Sequence, residues 1–329
     1  MTRSASSHAR FVSLSASPCR KGNRANLPAA FAKITYDSAY LKLYYPAEFY
    51  CALLNNWPMG FYPPAVIIGD ARRHGIPVLP IDVNRSRSAC TVEGRSVRIG
   101  YRYVRGIGET DYEAIDVAAE AGPFQSLHDF CRRTRLGKDA VANLIDVGAF
   151  DSLGLPRRQL LWQLPEALKA ARDDEIAGLV VVSRNPPLHE PTPIEEARAD
   201  YHVLGLPASH HVMEFYRARL DEMRVLTCVE LSELPHGSWV RVAGVVICRQ
   251  APGTARGHVF LTIEDETALG NVIIRPKVYA EYRLTIRHQL VLIVEGRLQN
   301  QDGSVSVLAK RVDSLNPEFT EGLFVRSFR

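Results

Sequence analysis

The 329-residue sequence lacks the marks of membrane-spanning, secreted and zinc-binding proteins. No apolar run approaches the roughly 18–20 residues that cross a bilayer, and no secretory apolar segment follows the basic start. The six cysteines are scattered, without a CxxC pair or a paired His/Cys spacing, so we expect neither a disulfide framework nor a zinc site. These absences predict a protein of the reducing cytoplasm that does not associate with membranes.

Recognisable catalytic motifs are missing too. There is no GxSxG, HExxH or P-loop, and none of the ten histidines pairs with another at helical spacing around an acid. The acidic run Glu264-Asp265-Glu266 follows a predicted strand beside a turn, and we interpret it as a solvated corner rather than a metal site. We therefore predict no catalytic residue, no metal-binding residue and no cofactor in this chain.

Positive charge is local rather than global. Residues 1–28 carry five basic residues and no acidic one, so the net charge of +4 leaves the other 301 residues at −1. Because this stretch is rich in Ser, Arg and Ala and has no apolar period, we predict that it is disordered. A transit peptide, or a start codon set upstream of a broken gene, is the alternative interpretation.

The spacing of apolar residues changes along the chain from helical to extended. Helices are predicted at 29–56 with a new start at Pro46, and at 65–74, 109–121, 126–133, 138–147, 157–172 and 200–223. Two strands are predicted at 91–93 and 96–104, and five more at 239–247, 258–263, 271–274, 290–295 and 304–309. A helix at 277–283 lies between the third and fourth of these five, which is typical of an OB-type barrel.

The predicted fold is therefore multidomain α+β: a mostly helical region followed by a five-stranded OB-type β-barrel. We divide the chain into a disordered start, a helical segment, a module around a glycine turn, a helical connector with a linker, the barrel and a tail. Their bounds are 1–28, 29–90, 91–155, 156–236, 237–315 and 316–329.

The most specific motif is Tyr103-Val104-Arg105-Gly106-Ile107-Gly108, which precedes a predicted helix. Glycines on both sides of an apolar residue permit a tight turn, and amides at the helix start then face a phosphate, as in a helix-hairpin-helix element. Such binding holds the DNA backbone without reading sequence. A plain turn is the alternative. A dinucleotide fingerprint is disfavoured, because position 111 is Asp instead of a third glycine and no second parallel strand follows.

Arginines flank this turn. Arg102 and Arg105 are predicted to add charge to the phosphate contacts of Gly106, Ile107 and Gly108. They belong to a run that contains a single acid, Glu93, and a second basic cluster follows: Arg85, Arg87, Arg95, Arg98, Arg102 and Arg105, then Arg132, Arg133, Arg135 and Lys138. A solvated basic face is the alternative. The acidic segment 144–154 is predicted to pack rather than to bind phosphate.

The barrel offers a second predicted surface. Alternation along 258–263 places Val259, Leu261 and Ile263 inward and Phe260 outward. We predict that Phe260 stacks on bases of single-stranded DNA, and that three arginines contact its phosphates: Arg256, Arg275 and Arg297. The alternatives are that Phe260 belongs to the core, or that the barrel binds protein.

Several phrases, in this order, resemble the bacterial DNA polymerase III α-subunit family (family C), and in particular its error-prone, damage-inducible branch. They are the stretch 29–86 with its NNWPMGFY phrase, the glycine turn, GAFDSLG at 148–154, DYHVLGL at 200–206 and, in the barrel, RVAGVVICRQAPGTARGHVFLTIEDET, NVIIRPKVY and LVLIVEGRLQ. Residues 1–28 resemble nothing in the family, which suggests a truncated gene, a frameshift or a mis-set start.

The resemblance implies the role of each part. Segment 29–90 corresponds to the end of the fingers region, 91–155 to the helix-hairpin-helix module and 237–315 to the OB domain. Together they imply binding of template–primer DNA and of the single-stranded template during translesion synthesis, with accessory mutagenesis proteins as further partners.

The family's palm has no counterpart in this sequence. Its aspartates bind two Mg²⁺ ions for nucleotidyl transfer, so no catalytic residue carries over, and we expect no DNA synthesis by this chain alone. Two alternatives are a protein-interaction module for accessory mutagenesis factors and a subunit completed by a separate palm-bearing chain.

Overall fold

The computed structural model describes residues 26–59, 62–172, 188–301, 304–315 and 326–328. The helices in these ranges are α1 (Asn26–Tyr44), α2 (Pro46–Asn55), α3 (Pro64–Arg73), α4 (Glu109–Glu120), α5 (Leu127–Thr134), α6 (Lys138–Asp146), α7 (Arg157–Arg172), α8 (Pro193–Ala199), α9 (Arg217–Glu222), α10 (Pro276–Glu281) and α11 (Arg283–His288). The strands are β1 (Val78–Leu79), β2 (Thr91–Glu93), β3 (Ser96–Arg98), β4 (Trp239–Gln250), β5 (Val259–Glu264), β6 (Leu269–Ile274), β7 (Val291–Gln301), β8 (Ser304–Ser314) and β9 (Arg326–Phe328).

The first three helices begin and end within three residues of the predicted bounds. Pro46 and Pro64 occupy the first turns of α2 and α3, where a missing amide costs no helical hydrogen bond. Gly75 follows the end of α3 with φ at +74°, a conformation that favours glycine. The disordered start predicted for residues 1–28 lies outside the described residues up to position 25, and it is wrong for residues 26–28, because α1 begins at Asn26.

A small sheet connects the first three helices to the glycine turn. Strand β3 pairs in parallel with β1 and antiparallel with β2. The predicted strand 96–104 is wrong beyond Arg98, because the chain turns into a 3₁₀ segment at Tyr101–Tyr103. Tyr101 is fully buried there, and its hydroxyl donates to the carbonyls of Asp82 and Val83 at 3.2 and 3.0 Å. The chain continues from the buried Tyr101 to the glycine turn at residues 106–108, where Gly106 and Gly108 are exposed.

Helices α4 to α7 enclose an aromatic core. Phe124, Phe130 and Phe150 stack edge to face, with ring centroids 4.9 and 5.0 Å apart. Phe150 belongs to the acidic segment 144–154 and is fully buried, so the packing predicted for that segment is confirmed.

Five strands close into a barrel. They pair in the order β5-β6-β8-β7-β4, and β4 pairs again with β5. Two short helices, α10 and α11, stand where a single helix is predicted, and β7 and β8 are longer than predicted. The tail contributes β9, which pairs in parallel with the end of β4. The predicted OB-type barrel is confirmed in its strand number and in the place of its helices.

The connector covers one outer face of the barrel. The predicted helix 200–223 is interrupted: a π-helical turn at Asp200–Leu204 ends at Gly205, and a 3₁₀ turn at Val212–Tyr216 leads into α9. Its buried side chains pack on outward residues of β4 and β7, and Val66 of α3 joins the same cluster. Strand β4 is therefore buried on both faces, which explains its nearly continuous apolar run.

Candidate nucleic-acid interface

The predicted glycine turn lies on the surface, and the backbone of the residue before it forms two hydrogen bonds to other parts of the chain. We call residues 106–108 the first turn. Gly106 has φ at +77°, and Gly108 caps α4 in an extended conformation. The preceding Arg105 donates its amide to the Val203 carbonyl at 2.9 Å, and its carbonyl accepts from Asn143 Nδ2 at 2.7 Å. The turn is therefore rigid, with Gly106 and Gly108 exposed.

Two amides of the first turn are already bonded. The Ile107 amide donates to the Val104 carbonyl at 3.3 Å, and the Gly108 amide donates to Asp111 Oδ2 at 2.8 Å. Within the described residues, the amides of Gly106, Glu109 and Thr110 have no acceptor. Acidic residues also occupy the first turn of α4, namely Glu109 and Asp111. A phosphate here would meet free amides beside carboxylates, which weakens its attraction.

The flanking arginines do not act as one cluster. Arg105 is exposed, and Arg102 is exposed while its Nη1 donates to the Asn55 carbonyl at 3.0 Å. Arg98 is buried, pairs with Glu93 and donates to the Pro80 carbonyl at 2.8 Å. The prediction that Arg98 contributes to a basic surface is therefore wrong, because its charge is used inside the protein.

A second turn, whose first residue also has a positive φ and whose third residue also caps a helix, joins α5 to α6. We call residues 135–137 the second turn. Arg135 takes the left-handed conformation with φ at 54°, Leu136 is buried, and Gly137 caps α6. This order matches Gly106, Ile107 and Gly108. The Gly-apolar-Gly motif does not detect the second turn, because an arginine occupies the position of the first glycine. The sequence signal that remains is a Leu-Gly pair before a predicted helix, within a basic cluster.

The second turn carries free amides beside exposed cations. The amides of Gly137, Lys138 and Asp139 have no acceptor among the described residues. Arg132 and Lys138 are exposed, and Arg132 Nη2 pairs with Asp129 Oδ1 at 3.3 Å. The fourth member of the predicted basic cluster, Arg133, is structural instead: it donates to the Gly122 carbonyl at 2.7 Å and lies 4.4 Å from the Phe124 ring centre.

The outward face of the barrel carries a row of apolar side chains. Phe260 is half-buried and points outward, while Val259 and Leu261 are buried, as predicted. Phe260 pairs with Ile273 on β6, and Ile273 pairs with Leu308 on β8. Paired residues share a face, so the three side chains form a continuous strip across three strands.

The predicted arginines lie at different ends of this strip. Arg256 and Arg275 are both exposed and lie close in the fold, because a Cβ at Gly257 would lie 3.3 Å from Pro276 Cγ. Arg297 pairs with Leu308 and so lies beyond the far end of the strip, next to the exposed Trp239. A bound strand would have to cross the strip to reach all three arginines.

The acidic run at 264–266 is not solvated. Glu264 and Asp265 are 3% and 0% exposed. Glu264 Oε1 accepts from Arg73 Nη1 of α3 at 2.9 Å, and Asp265 Oδ2 accepts from the Cys228 amide at 2.7 Å. Burial raises the pKa of Glu264 to about 7, although Arg73 opposes that shift. The prediction of a solvated corner is wrong: the run joins the barrel to α3.

Because of these contacts, the acidic run does not fit the two Mg²⁺ ions that the palm domain of family C polymerases binds. Each carboxylate of the acidic run already accepts from an arginine or an amide, although the buried Glu266 Oε2 has no partner among the described residues. In the part of the chain that the structure describes, no group of three His, Cys, Asp or Glu side chains could hold a metal ion. Among its helices, none is both long and apolar enough to cross a membrane.

Comparisons with known proteins agree with this geometry. A family profile described as a helix-hairpin-helix motif matches residues 75–160, and one described as an OB-fold nucleic acid binding domain matches 232–315. An error-prone DNA polymerase of Rhodopseudomonas palustris is 40% identical, covering 90% of this chain and 28% of the relative. One of Sinorhizobium medicae is 36% identical, covering 88% and 28%.

An asparaginyl-tRNA synthetase structure from Pyrococcus horikoshii is 23% identical over 28% of this chain and 23% of that one, but its TM-score of 0.25 supports no inference.

The chain spans little more than a quarter of the length of the curated relatives. The resemblance predicted from the sequence is confirmed: over about nine tenths of its length this chain is homologous to error-prone DNA polymerases, with a helix-hairpin-helix domain followed by an OB-fold domain.

Proposed function

We propose that this chain binds template–primer DNA: the duplex through backbone phosphates at the two turns, and the single-stranded template along the barrel strip. The homology to error-prone DNA polymerases and the two matching nucleic-acid domains support the proposal. In the full-length relatives the same modules would hold DNA during translesion synthesis. DNA binding also agrees with a cytoplasmic location.

The second turn carries the duplex part of the proposal. Three unpaired amides at the start of α6 provide directional donors for a phosphate oxygen, and the helix dipole adds to their field. Arg132 and Lys138 add two exposed cations, whose contacts with phosphate would release counterions. Asp139 opposes them in the first turn of α6, and Asp129 of α5 pairs with Arg132 at 3.3 Å. These features favour the second turn over the first as the stronger phosphate contact.

The first turn has a supporting role in this proposal. Arg105 supplies an exposed charge, and the amides of Gly106 and Thr110 remain available. Because the Asp111 carboxylate already accepts from the Gly108 amide, that amide is not available to a phosphate unless Asp111 moves. Asn143 of α6 holds the Arg105 carbonyl, so the two turns are fixed relative to each other.

The barrel strip suits single-stranded DNA, because bases stack on aromatic and apolar surface while arginines reach the phosphates. Phe260, Ile273 and Leu308 provide the surface, and Arg256 with Arg275 provides charge at one end. The alternative, in which the barrel binds accessory proteins, is less favoured, because the connector already covers the outer face of β4 and β7.

The test measures binding of a blunt duplex, which contains no single strand, by fluorescence anisotropy between about 50 and 300 mM salt. The variant carries Arg132→Gln and Lys138→Gln. We expect its affinity at about 100 mM salt to fall at least tenfold, and the slope of log affinity against log salt to decrease by about 2, since each phosphate contact contributes about 0.9.

The matched control is Arg287→Gln, an exposed arginine on α11 of the barrel, which should leave duplex affinity unchanged. Equal affinity and equal salt slope in the variant and the wild type would refute the second turn as a phosphate contact. Wild-type binding without salt dependence would refute backbone binding altogether and favour the protein-interaction alternative.

A further inference from the structure

The apolar strip on the barrel is short for a single-strand site. Phe260, Ile273 and Leu308 lie on three neighbouring strands, so the strip spans two strand spacings, about 10 Å. At a stacking distance of about 3.4 Å per nucleotide, this length holds about three bases. OB barrels cover about 4–16 nucleotides of a single strand. A strand bound there therefore extends past the strip onto a neighbouring surface.

The two edges of the strip differ in charge. Along β6 and β8, which pair in parallel, the exposed Arg275 and Lys310 each lie two residues past a member of the strip. Asn271 and Ser306, which carry no charge, lie two residues before it, on the opposite edge. Arg256 lies close to Arg275 and extends the charged edge. Phosphates are therefore favoured along the edge that leads into α10.

Helices α10 and α11 continue this basic edge. Between residues 275 and 288 the sequence has four arginines or lysines and one acid, a net charge of +3, whereas residues 29–329 together carry −1. Lys277 and Arg283 are exposed, and within the described residues no hydrogen bond or ion pair engages their side chains or that of Lys310. The acid, Glu281, is exposed as well and offsets one charge. The excess of cations remains available to phosphates.

The surface of α10 and α11 also has the shape for a strand. An open groove of about 600 Å³ runs along it and is lined, among others, by Tyr282, Arg283, Leu284 and His288. Leu284 is 75% exposed and adds an apolar contact. Arg249 of β4 donates to the carbonyls of Ile286 and Gln289 at 2.7 and 2.5 Å, which fixes α11 on the barrel. The groove therefore combines charge and apolar area on a rigid support, as single-strand sites do.

We propose that this groove is a second part of the single-strand site and holds the sugar–phosphate backbone of the DNA that leaves the strip. The phosphates follow Arg275 and Lys310 and then pass over Lys277 and Arg283. At about 1.5 Å per residue, α10 and α11 together measure about 18 Å, enough for about five further nucleotides. A nucleic acid fits better than an acidic polypeptide, because the apolar strip and the basic edge run side by side, as bases and phosphates do in a single strand. The inference rests on the single-strand binding proposed for the strip.

The experiment measures binding of a short and a long oligothymidylate, of about 4 and 12 nucleotides, to the full chain by fluorescence anisotropy at several salt concentrations. The variant carries Lys277→Gln, Arg283→Gln and Lys310→Gln. We expect it to bind the short oligonucleotide like the wild type, because the strip is intact, and the long one at least tenfold more weakly. The slope of log affinity against log salt for the long oligonucleotide should decrease by about 2, since each single-strand phosphate contact contributes about 0.7.

The matched control carries Lys33→Gln, Lys169→Gln and Arg219→Gln, exposed cations on α1, α7 and α9, and should leave both affinities unchanged. Equal affinity and equal salt slope of variant and wild type for the long oligonucleotide would overturn the groove and leave the strip standing. A wild type that binds neither oligonucleotide would refute the strip and the groove together. Polyglutamate that displaces the long oligonucleotide at equal charge from the wild type, but not from the variant, would overturn the inference in favour of an acidic polypeptide.

Discussion

The buried carboxyl of Glu264 makes the stability of this protein depend on pH. Burial raises its pKa from 4.5 to about 7, while Arg73 lowers it and the nearby Asp265 and Asp70 raise it. The folded state therefore holds a proton that the unfolded state has already lost. The resulting contribution to stability is fully present below about pH 4.5 and is lost as the pH rises through 7.

The magnitude follows from that shift. At roughly 1.4 kcal/mol per pH unit, a rise from 4.5 to about 7 corresponds to a loss of about 3 kcal/mol in the free energy of unfolding between pH 4.5 and pH 8. We expect Glu264→Gln to remove this loss, because the amide keeps the volume of the side chain and cannot ionise. The stability of the variant relative to the wild type should therefore rise by about 3 kcal/mol over that range.

The assay is urea unfolding followed by tryptophan fluorescence at pH 5, 6, 7 and 8, with the free energy of unfolding extrapolated to zero urea. Glu113→Gln, an exposed position on α4, serves as the control and should follow the wild type at every pH. Parallel pH curves for Glu264→Gln and the wild type would refute the reasoning, since they would mean that Glu264 keeps an ordinary pKa in the folded protein.

Three further predictions concern packing, charge and the barrel strip. Gly296→Ala should destabilise by about 2–3 kcal/mol in urea unfolding, because its Cβ would lie 2.2 Å from the Leu308 carbonyl oxygen, whereas Gly253→Ala, with nothing within 4 Å, should be neutral. Burial raises the pKa of Asp70, but hydrogen bonds from His74, Lys42 and Tyr50 outweigh it and hold that pKa well below its usual range, so the contribution of Asp70 to stability is lost as the pH falls through that pKa. Asp70→Asn should cost about 2–4 kcal/mol at pH 7 and progressively less in acid, as thermal melting would show. Phe260→Ala should weaken binding of a single-stranded oligonucleotide by about 1–3 kcal/mol in anisotropy titrations, without changing duplex affinity.

The turns show how far local patterns predict a site. Gly106, Ile107 and Gly108 are recognisable because glycine is the usual residue at positive φ. The equivalent Arg135 has φ of 54° although it is not glycine, and the helices on both sides of it, α5 and α6, pack on α7. The sequence therefore reveals one turn of the pair, and the turn with more free amides beside exposed cations is found only in the structure.

Most helices and strands, the glycine turn, the barrel and the homology can be predicted from the sequence, because they depend on local periodicity and on residues with restricted backbones. Tertiary structure alone decided where charge is buried and which apolar surface is left open. Glu264 accepts a hydrogen bond from Arg73, which lies 191 positions away in the sequence. An acidic run that the sequence predicts to be solvated is therefore buried between the barrel and α3. Burial depends on what distant segments bring into contact.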